Sequence, residues 1–588
     1  MKLRPVASLP EARDGVVGPM LAVLGVSLLA AAGLALDVAL YYVGERDLRA
    51  ATEAAALAAS MNPGNAEERA RDYLTRNGYD GDVLQSVEVG RYCPDVSVDP
   101  NQRFDPSFTR CPGNGVANAV RLHTKRASRR FLTGVFDEAV IPDMEVTASA
   151  ARIDEAGIGI TSGLLTVTNP LVNVVNDLLG ALLGIKLRLN QSDIEGMMGA
   201  NVDAGLFFDA LAKRSGSTGT YGDLVAGTYG IKDIVMSAAD ATSNIAAKLG
   251  LHSLGSQVTN SYQVPLSDLF GLGVWKNMPV GHADSPPSLR AGINAYQLVT
   301  FAIQAGPGVI DLSDAVSLAV PGSIVKIGAI ATGPADRPRF SFGPAGETSV
   351  GTSLLRLQIL LGLGDINLLG FPISESVPVL IDVAAAHAEI SQIECTDTAE
   401  QGRDTRVNVT ASSGLVNAYI GKAPANALTR PVPPITADDI SQVRLLNVLN
   451  LVTVDARAVA QPVFGKSSTL TFGPGGNGTI GSPDSPGSPA SVGNGAQVGP
   501  LISSLVDGLM APDGLQIELL GLCLPIVCQG SEDTLRQTLL GAITTPLSGL
   551  VGNTADPLLD FVLEALGIQL GHATVWATGA RCGVPVLI

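Results

Sequence analysis

Charge is scarce in this chain. Only 16% of its 588 residues are Asp, Glu, Lys or Arg, and only 4% are aromatic. The charge that is present runs acidic, to a formal −17 and a pI near 4.7, which speaks against nucleic acid as a partner. With so few large rings, a folded body has to build its core from small aliphatic side chains. The five histidines, His123, His252, His282, His387 and His572, are scattered and never make the close helical pair of a metalloprotease. No Gly-x-Ser-x-Gly nucleophile elbow occurs.

Partial motifs fail on inspection. Gly465-Lys466-Ser467 looks like the end of a phosphate-binding loop, but Ala460 stands where its first glycine must make the turn. The glycines from Gly473 to Gly478 lie in low-complexity sequence rather than between a strand and a helix. Asp311-Leu312-Ser313-Asp314-Ala315 lacks the final serine of the von Willebrand A metal-binding motif. His387 leads to Cys395 and His572 leads to Cys582, at spacings unlike zinc signatures. The expectation is a protein without catalytic, cofactor-binding or metal-binding residues, and so not an enzyme. Asn190, Asn408 and Asn477 begin glycosylation sequons, which are common by chance.

Long apolar runs are also rare, and the one present organises the chain. No charged residue falls between Val16 and Leu36. As a helix rising about 1.5 Å per residue, that stretch covers the roughly 30 Å core of a bilayer. Leu354–Gly370 is no second span, since Arg356, Gln358, Asp365 and Asn367 break it. Asp37 falls at the far edge, where a carboxylate reaches the headgroups, and Tyr41 and Tyr42 follow at interfacial depth. Ser27, Ala31, Ala35 and Ala39, four apart, form a small-residue row on which another helix can pack.

The helix is expected to continue beyond the membrane. Seven of the eleven residues from Ala50 to Ser60 are Ala, the best helix former. Leu48, Ala51, Ala55 and Ala59 mark an apolar face, and Asn62-Pro63-Gly64 stops the run. Lys2, Arg4 and Arg13 precede the span, with Glu11 and Asp14 among them, whereas two bases stand against four acids from Asp37 to Glu53. The positive-inside rule then puts the N-terminus in the cytoplasm and the bulk of the chain outside. A signal peptide cleaved after Gly33-Leu34-Ala35 is the competing reading.

Six cysteines on that side suggest disulfides. Six allow fifteen connectivities. Proximity favours Cys93–Cys111 and Cys523–Cys528, leaving Cys395 and Cys582 to pair by elimination. One basic cluster exists: Arg121, His123, Lys125, Arg126, Arg129 and Arg130. It reads as a solvated face at a strand–helix junction, with an anionic-lipid or polyanion site as the alternative.

The expected fold class is α+β: a single transmembrane helix extended into an Ala-rich stem, a small α+β domain, then mixed helical and β-rich extracytoplasmic domains. By residue number these are a cytoplasmic tail (1–14), the membrane helix and stem (15–60), the small α+β domain (61–155), a mainly helical region (156–305), a β-rich region (306–472), a mobile Gly/Ser/Pro-rich loop (473–499) and a C-terminal helical plus strand region (500–588). The small domain's second long strand is placed at Met144–Ile153. Helices are expected around Phe131–Phe136 and over Thr534–Leu566.

The N-terminal portion resembles the TadG-like proteins of the bacterial tight-adherence (Flp) pilus assembly system. Gly15 opens the span, Asp37-Val38-Ala39-Leu40-Tyr41 follows, and the pattern continues through Leu48-Arg49-Ala50-Ala51-Thr52-Glu53-Ala54-Ala55-Ala56-Leu57-Ala58. Arg49 and Glu53 replace the family's usual Gln and Asp. Asn118-Ala119-Val120-Arg121 and Val146-Thr147-Ala148-Ser149-Ala150 resemble its two strands, so the likeness covers residues 15–155. Met20 stands where prepilin-peptidase substrates carry glutamate, which speaks against processing like a pilin subunit. The resemblance implies an inner-membrane protein, periplasmic in bulk, whose partners are the lipid bilayer and other pilus-assembly or envelope proteins. Its work would be to anchor or assemble an adhesive pilus. The alternative is a surface or periplasmic binding module, an adhesin with a membrane anchor.

Overall fold

The computed structural model describes residues 17–94, 98–99, 102–110, 117–130, 141–161, 172–259, 262–283, 289–306, 309–311, 317–320, 323–332, 337–352, 354–362, 367–368, 371–372, 376–395, 405–429, 432–460, 465–493, 498–511, 513–519, 537, 540–541, 544 and 572–588. The chain is α+β and divides into two compact units. Residues 1–93, 97–153 and 585–588 make the first, and residues 94–96 and 154–584 the second.

The first unit is built on α1 (Val17–Ser60), one uninterrupted helix of 44 residues. A one-turn 3₁₀ segment at Pro63–Asn65 reverses the chain into α2 (Ala66–Arg76), which carries Glu67 and Glu68 in its first turn and Arg76 in its last, both favourable to the helix dipole. Asn65 precedes α2 without a side-chain capping bond. β1 (Leu84–Tyr92), the short β2 (Phe104–Asp105), β3 (Ala119–Arg126) and β4 (Met144–Thr161) follow. β1 pairs with β2 and β3, and β3 with the first half of β4, all antiparallel. Alternation puts Val120, Leu122, Ala148 and Ala150 on one face, where they pack with Ala55, Ala56, Ala59, Ala70 and Leu74. Leu587 joins this cluster, and the Ile588 amide donates to the Ser149 carbonyl.

The strand expected to end at Ile153 runs on to Thr161, past the expected boundary at 155. Its continuation is apolar and buried, with Ala156, Ile158 and Ile160 in a core of the second unit. That unit opens with a helical part: α3 (Val172–Leu183), α4 (Gln191–Met198), α5 (Ala204–Ser215), α6 (Tyr221–Val225), α7 (Ile231–Asp240), α8 (Ile245–Gln257) and α9 (Ala295–Gln304). Side chains cap their starts, as Asn190, Asp203, Thr220, Asn244 and Asn294 do. The few rings are concentrated here: Phe207, Phe208, Tyr221, Phe270, Phe301 and Phe340 meet at centroid distances of 5.0 to 5.8 Å.

The rest of the second unit is mostly antiparallel sheet. One sheet orders Val309–Asp311, Ser323–Thr332, Leu355–Gly362, Ser376–Val383, Val416–Ile420 and Ala458–Val459, with Ser317–Val320 on Ser323–Thr332. Another orders Ser349–Gly351, His387–Glu394, Arg406–Ser412 and Ser467–Phe472. A third takes Val443–Val448, Val452–Ala456 and Leu515–Leu519. α10 (Val498–Met510) and the C-terminal strand His572–Leu587, up to Val584, complete it.

Residues 473–493 are not the mobile loop expected from their composition. They contain the strand Ala490–Gly493, which pairs with His572–Val575. The Gly481 amide donates to the Ala577 carbonyl, the Asn201 side chain to the Ser482 carbonyl, and Thr479 and Ser488 bond each other. Hydrogen bonds hold this stretch together with the burial of Ala490 and Val492 in a core of the second unit, against which Ile480 packs. The helices expected at Phe131–Phe136 and across most of Thr534–Leu566 lie outside the described residues.

Candidate functional site

α1 has two halves of opposite character. From Met20 to Leu29 its large side chains stand in the open, among them Met20 at 68%, Val23 at 68% and Leu29 at 71% exposure. Transfer of such a side chain from water to hydrocarbon is worth about 1.5–3 kcal/mol, so an aqueous surrounding is the wrong one for this half. The helix is long and apolar enough to cross a membrane. Ser27, Ala31, Ala35 and Ala39 are all exposed along it, and the Ser27 hydroxyl donates back to the Val23 carbonyl at 2.7 Å.

Covering begins at Asp37, which is wholly buried. The carboxylate expected to reach the headgroups is instead enclosed. Tyr41 likewise turns inward, against Leu48, Val83, Met144 and Val146, whereas Tyr42 remains 66% exposed. From here the buried positions climb one face: Leu48, Thr52, Ala55, Ala56 and Ala59. A Cβ on Gly44 would come within 2.8 Å of the Met144 sulfur, so the helix lies close on the start of β4. The Thr52 hydroxyl meets that of Thr124 at 2.7 Å. The alanines of the stem therefore serve close approach of helix to sheet as well as helix propensity. Opposite them, burial pushes the Glu53 carboxyl up, with Arg49 partly offsetting it.

The thiols are used as cross-links. Cys395 is bonded to Cys582, 187 residues away. Cys93 is disulfide-bonded, while Cys111, Cys523 and Cys528 lie outside the described residues. Asp154 stands beside the Cys395–Cys582 pair, but sulfurs joined to each other are not thiolate ligands, and its carboxylate accepts from the Gly583 amide. The sequon asparagines have structural work. Asn190 caps α4, Asn408 lies in a central strand, and Asn477 accepts from the Thr471 amide.

A buried cluster escaped the sequence reading. Glu155 accepts from the Trp275 indole at 2.6 Å and from the Arg581 guanidinium, which lies 5.3 Å from the Trp275 ring. Burial pushes the Glu155 carboxyl up against the opposing pull of Arg581. Three residues so far apart in sequence carry no local signal of their meeting. Ion pair and indole tie together three segments distant in sequence.

The basic cluster is largely compensated. Arg121 lies 4.2 Å from the Phe104 ring and 3.7 Å from Glu88; His123 bonds Thr147; Lys125 meets Glu145 at 2.8 Å and Asp143 at 3.6 Å. Arg126 lies over Tyr79 and Arg130 reaches Asp143 and the Ile141 carbonyl.

Comparison with known proteins assigns two segments. Residues 15–66, the helix and its stem, match the family model described as Flp pilus-assembly TadE/G-like. Residues 172–304, from the first residue of α3 to the last of α9, match a domain of unknown function (DUF8293). No curated protein and no solved structure matches the chain. The TadG-like resemblance is thus supported over the helix and stem, a segment similar to Flp pilus-assembly proteins.

Proposed function

We propose that α1 crosses the bacterial inner membrane once, N-terminus in the cytoplasm, and holds both units in the periplasm as a structural, non-enzymatic part of a Flp-type pilus assembly apparatus. One observation carries the reading. A single continuous helix is bare and apolar over its first half and fastened to a folded body over its second. Such a rod transmits the position of one compartment to the other without chemistry. The pilus-assembly match over residues 15–66 supports the setting, the bases before the span support the orientation, and bonded Cys93, Cys395 and Cys582 suit an oxidising compartment. Partners would engage the exposed row Ser27, Ala31, Ala35 and Ala39 within the bilayer and the body outside it.

The test has two stages. The chain should stay with membranes through carbonate washing, and a reporter that needs oxidation, fused after Ile588, should be active. A mature protein that starts near Leu36 and washes free ends the proposal. Cross-linked complexes recovered from intact membranes should then contain pilus-secretion components. Recovery of extracellular glycan or host protein instead, with pili still assembled in a deletion strain, would favour the adhesin reading.

A further inference from the structure

One strand of the second unit has an apolar projection at one end and an apolar hollow at the other. Val443–Val448 turns into Val452–Ala456 through Leu449, Asn450 and Leu451. Leu449 is 86% exposed, the most of any large apolar side chain among the described residues, and Leu451 is 48% exposed. The backbone at Leu449 and Asn450 is left-handed, with φ of 49° and 59°. Turns place glycine or asparagine at such positions, and a bulky leucine there is an outlier. No charge falls from Leu445 to Val454, and the Asn450 amide donates to the Asn447 side chain at 2.9 Å. At the other end, Val443 lines a cavity of about 270 Å³ with Pro378, Leu380, Pro424, Ala427 and Leu428. Its walls are the strand Ser376–Val383 and the residues after Val416–Ile420, which Arg356 fastens through the Ala427 carbonyl. Lys422 is the one charged residue among those lining it, and it is exposed. Six residues of strand separate tip from cavity by about 20 Å, so the tip cannot fill the cavity of its own chain.

We propose that Leu449 of one chain enters this cavity on a second copy, with Leu451 at its mouth, so that the second units join head to tail. Size allows it. A cavity of about 150 Å³ lined by aliphatic side chains already admits benzene, so this one has room for a leucine side chain. The choice of occupant follows from the pair of features. A lipid surface would cover the tip and leave the cavity as it is. A small ligand would find only Gln358 and Lys422 to orient it, fewer polar groups than such sites use. A second copy accounts for both ends of the strand with one contact, and an uncharged tip meets no repulsion from Lys422. Because tip and cavity are different patches, the contact is heterologous. It does not close at two copies but repeats into a ring or a filament. A contact this small is weak, which suits chains concentrated by a shared anchor. The inference goes beyond the anchoring role and does not depend on α1 crossing a membrane.

The experiment follows the full chain by sedimentation as its concentration rises, with one chain per lipid nanodisc so that membrane helices cannot join copies. The parent should grow past two copies. Leu449→Asn removes the projection and gives the turn a residue suited to positive φ. It should melt no lower than the parent and stay single where the parent assembles. Ala425→Trp, at an exposed position lining the cavity, plugs the hollow and should also stay single. Mixing these two variants is the decisive step. One keeps its cavity and the other its tip, so together they should form pairs and nothing larger. Leu449→Ala should weaken the parent's association about tenfold or more. A parent that stays single up to about 1 mM, or that stops at pairs, overturns the proposal. So does assembly by either variant alone, or a mixture that stays single. A single chain whose tip is quenched by brominated lipid overturns it in favour of a lipid contact. A chain that does not enter nanodiscs refutes the span alone, and its sedimentation in buffer still reads the contact.

Discussion

Arg356 and Asp382 face each other across two neighbouring strands, in register, joined by hydrogen bonds of 2.5 and 2.6 Å. The guanidinium is wholly buried, and its remaining arm donates to the Ala427 carbonyl at 2.8 Å. In the sequence Arg356 served only as a break in an apolar run, since alternation assigns a lone charge to the solvent side. A pair so enclosed depends on both partners. Arg356→Met should cost about 3–5 kcal/mol, because it leaves the Asp382 carboxylate buried and unanswered, while Arg356→Met with Asp382→Leu should recover most of that. Denaturant melts of the two variants decide it; a single variant within about 1 kcal/mol of the parent contradicts the burial. His572, at the start of the C-terminal strand, adds a pH dependence. Burial holds its pKa below the ordinary imidazole value of 6.5, so the folded chain keeps the ring neutral where the unfolded chain takes up a proton. The stability this gives is present above about pH 6.5 and is lost as the pH falls below it. Between pH 7 and pH 5 the melting temperature of His572→Gln should therefore fall less than that of the parent.

Elements differed in how much of themselves they showed beforehand. The stem was legible because Leu48, Ala55 and Ala59 repeat at helical spacing and Pro63-Gly64 ends the run. What they pack on was not legible, since Thr52 meets Thr124 and Gly44 meets Met144 only once β3 and β4 are in register. Residues 473–493 misled by composition. Glycine and serine offer nothing to bury, but glycine lets backbones come close, and the Gly292 Cα lies where any Cβ would strike the Ser482 carbonyl. Pairing of cysteines by sequence distance left Cys395 and Cys582 together, and the structure joins them. That bond fastens the C-terminal strand near the end of His387–Glu394. A cross-link closing a loop of 187 residues restrains the unfolded chain strongly. Cys395→Ser with Cys582→Ser should cost about 2–5 kcal/mol, and reductant should lower the melting temperature of the parent but not through this bond in the double variant. Equal melts for the parent and the double variant would show that the strand needs no staple.

Over the whole molecule, the return of the C-terminus to the first unit was the hardest feature to foresee, because a continuous strand carries the chain there. β4 passes from the first unit to the second after Ile153, and the C-terminal strand returns to the first at Pro585. The first passage falls within two residues of the boundary expected at 155; the return at Pro585 has no linker composition, and a division by loops and charge runs did not locate it. The division that does matter to function lies inside α1, between the bare half and the covered half. If lipid is what the bare half is for, it contributes no packing to the folded body. A chain starting at Asp37 should then be released from membranes, melt within about 2 °C of the parent, and protect the amides of β3 and β4 from hydrogen exchange equally well. A chain starting at Leu48 loses buried Asp37 and the contacts of Tyr41 and Gly44 with Met144. It should melt several degrees lower and lose protection first at Met144 and Val146. Should the longer chain also collapse, residues 17–36 are packing against their own body, and the exposed apolar surface would need an explanation other than a bilayer.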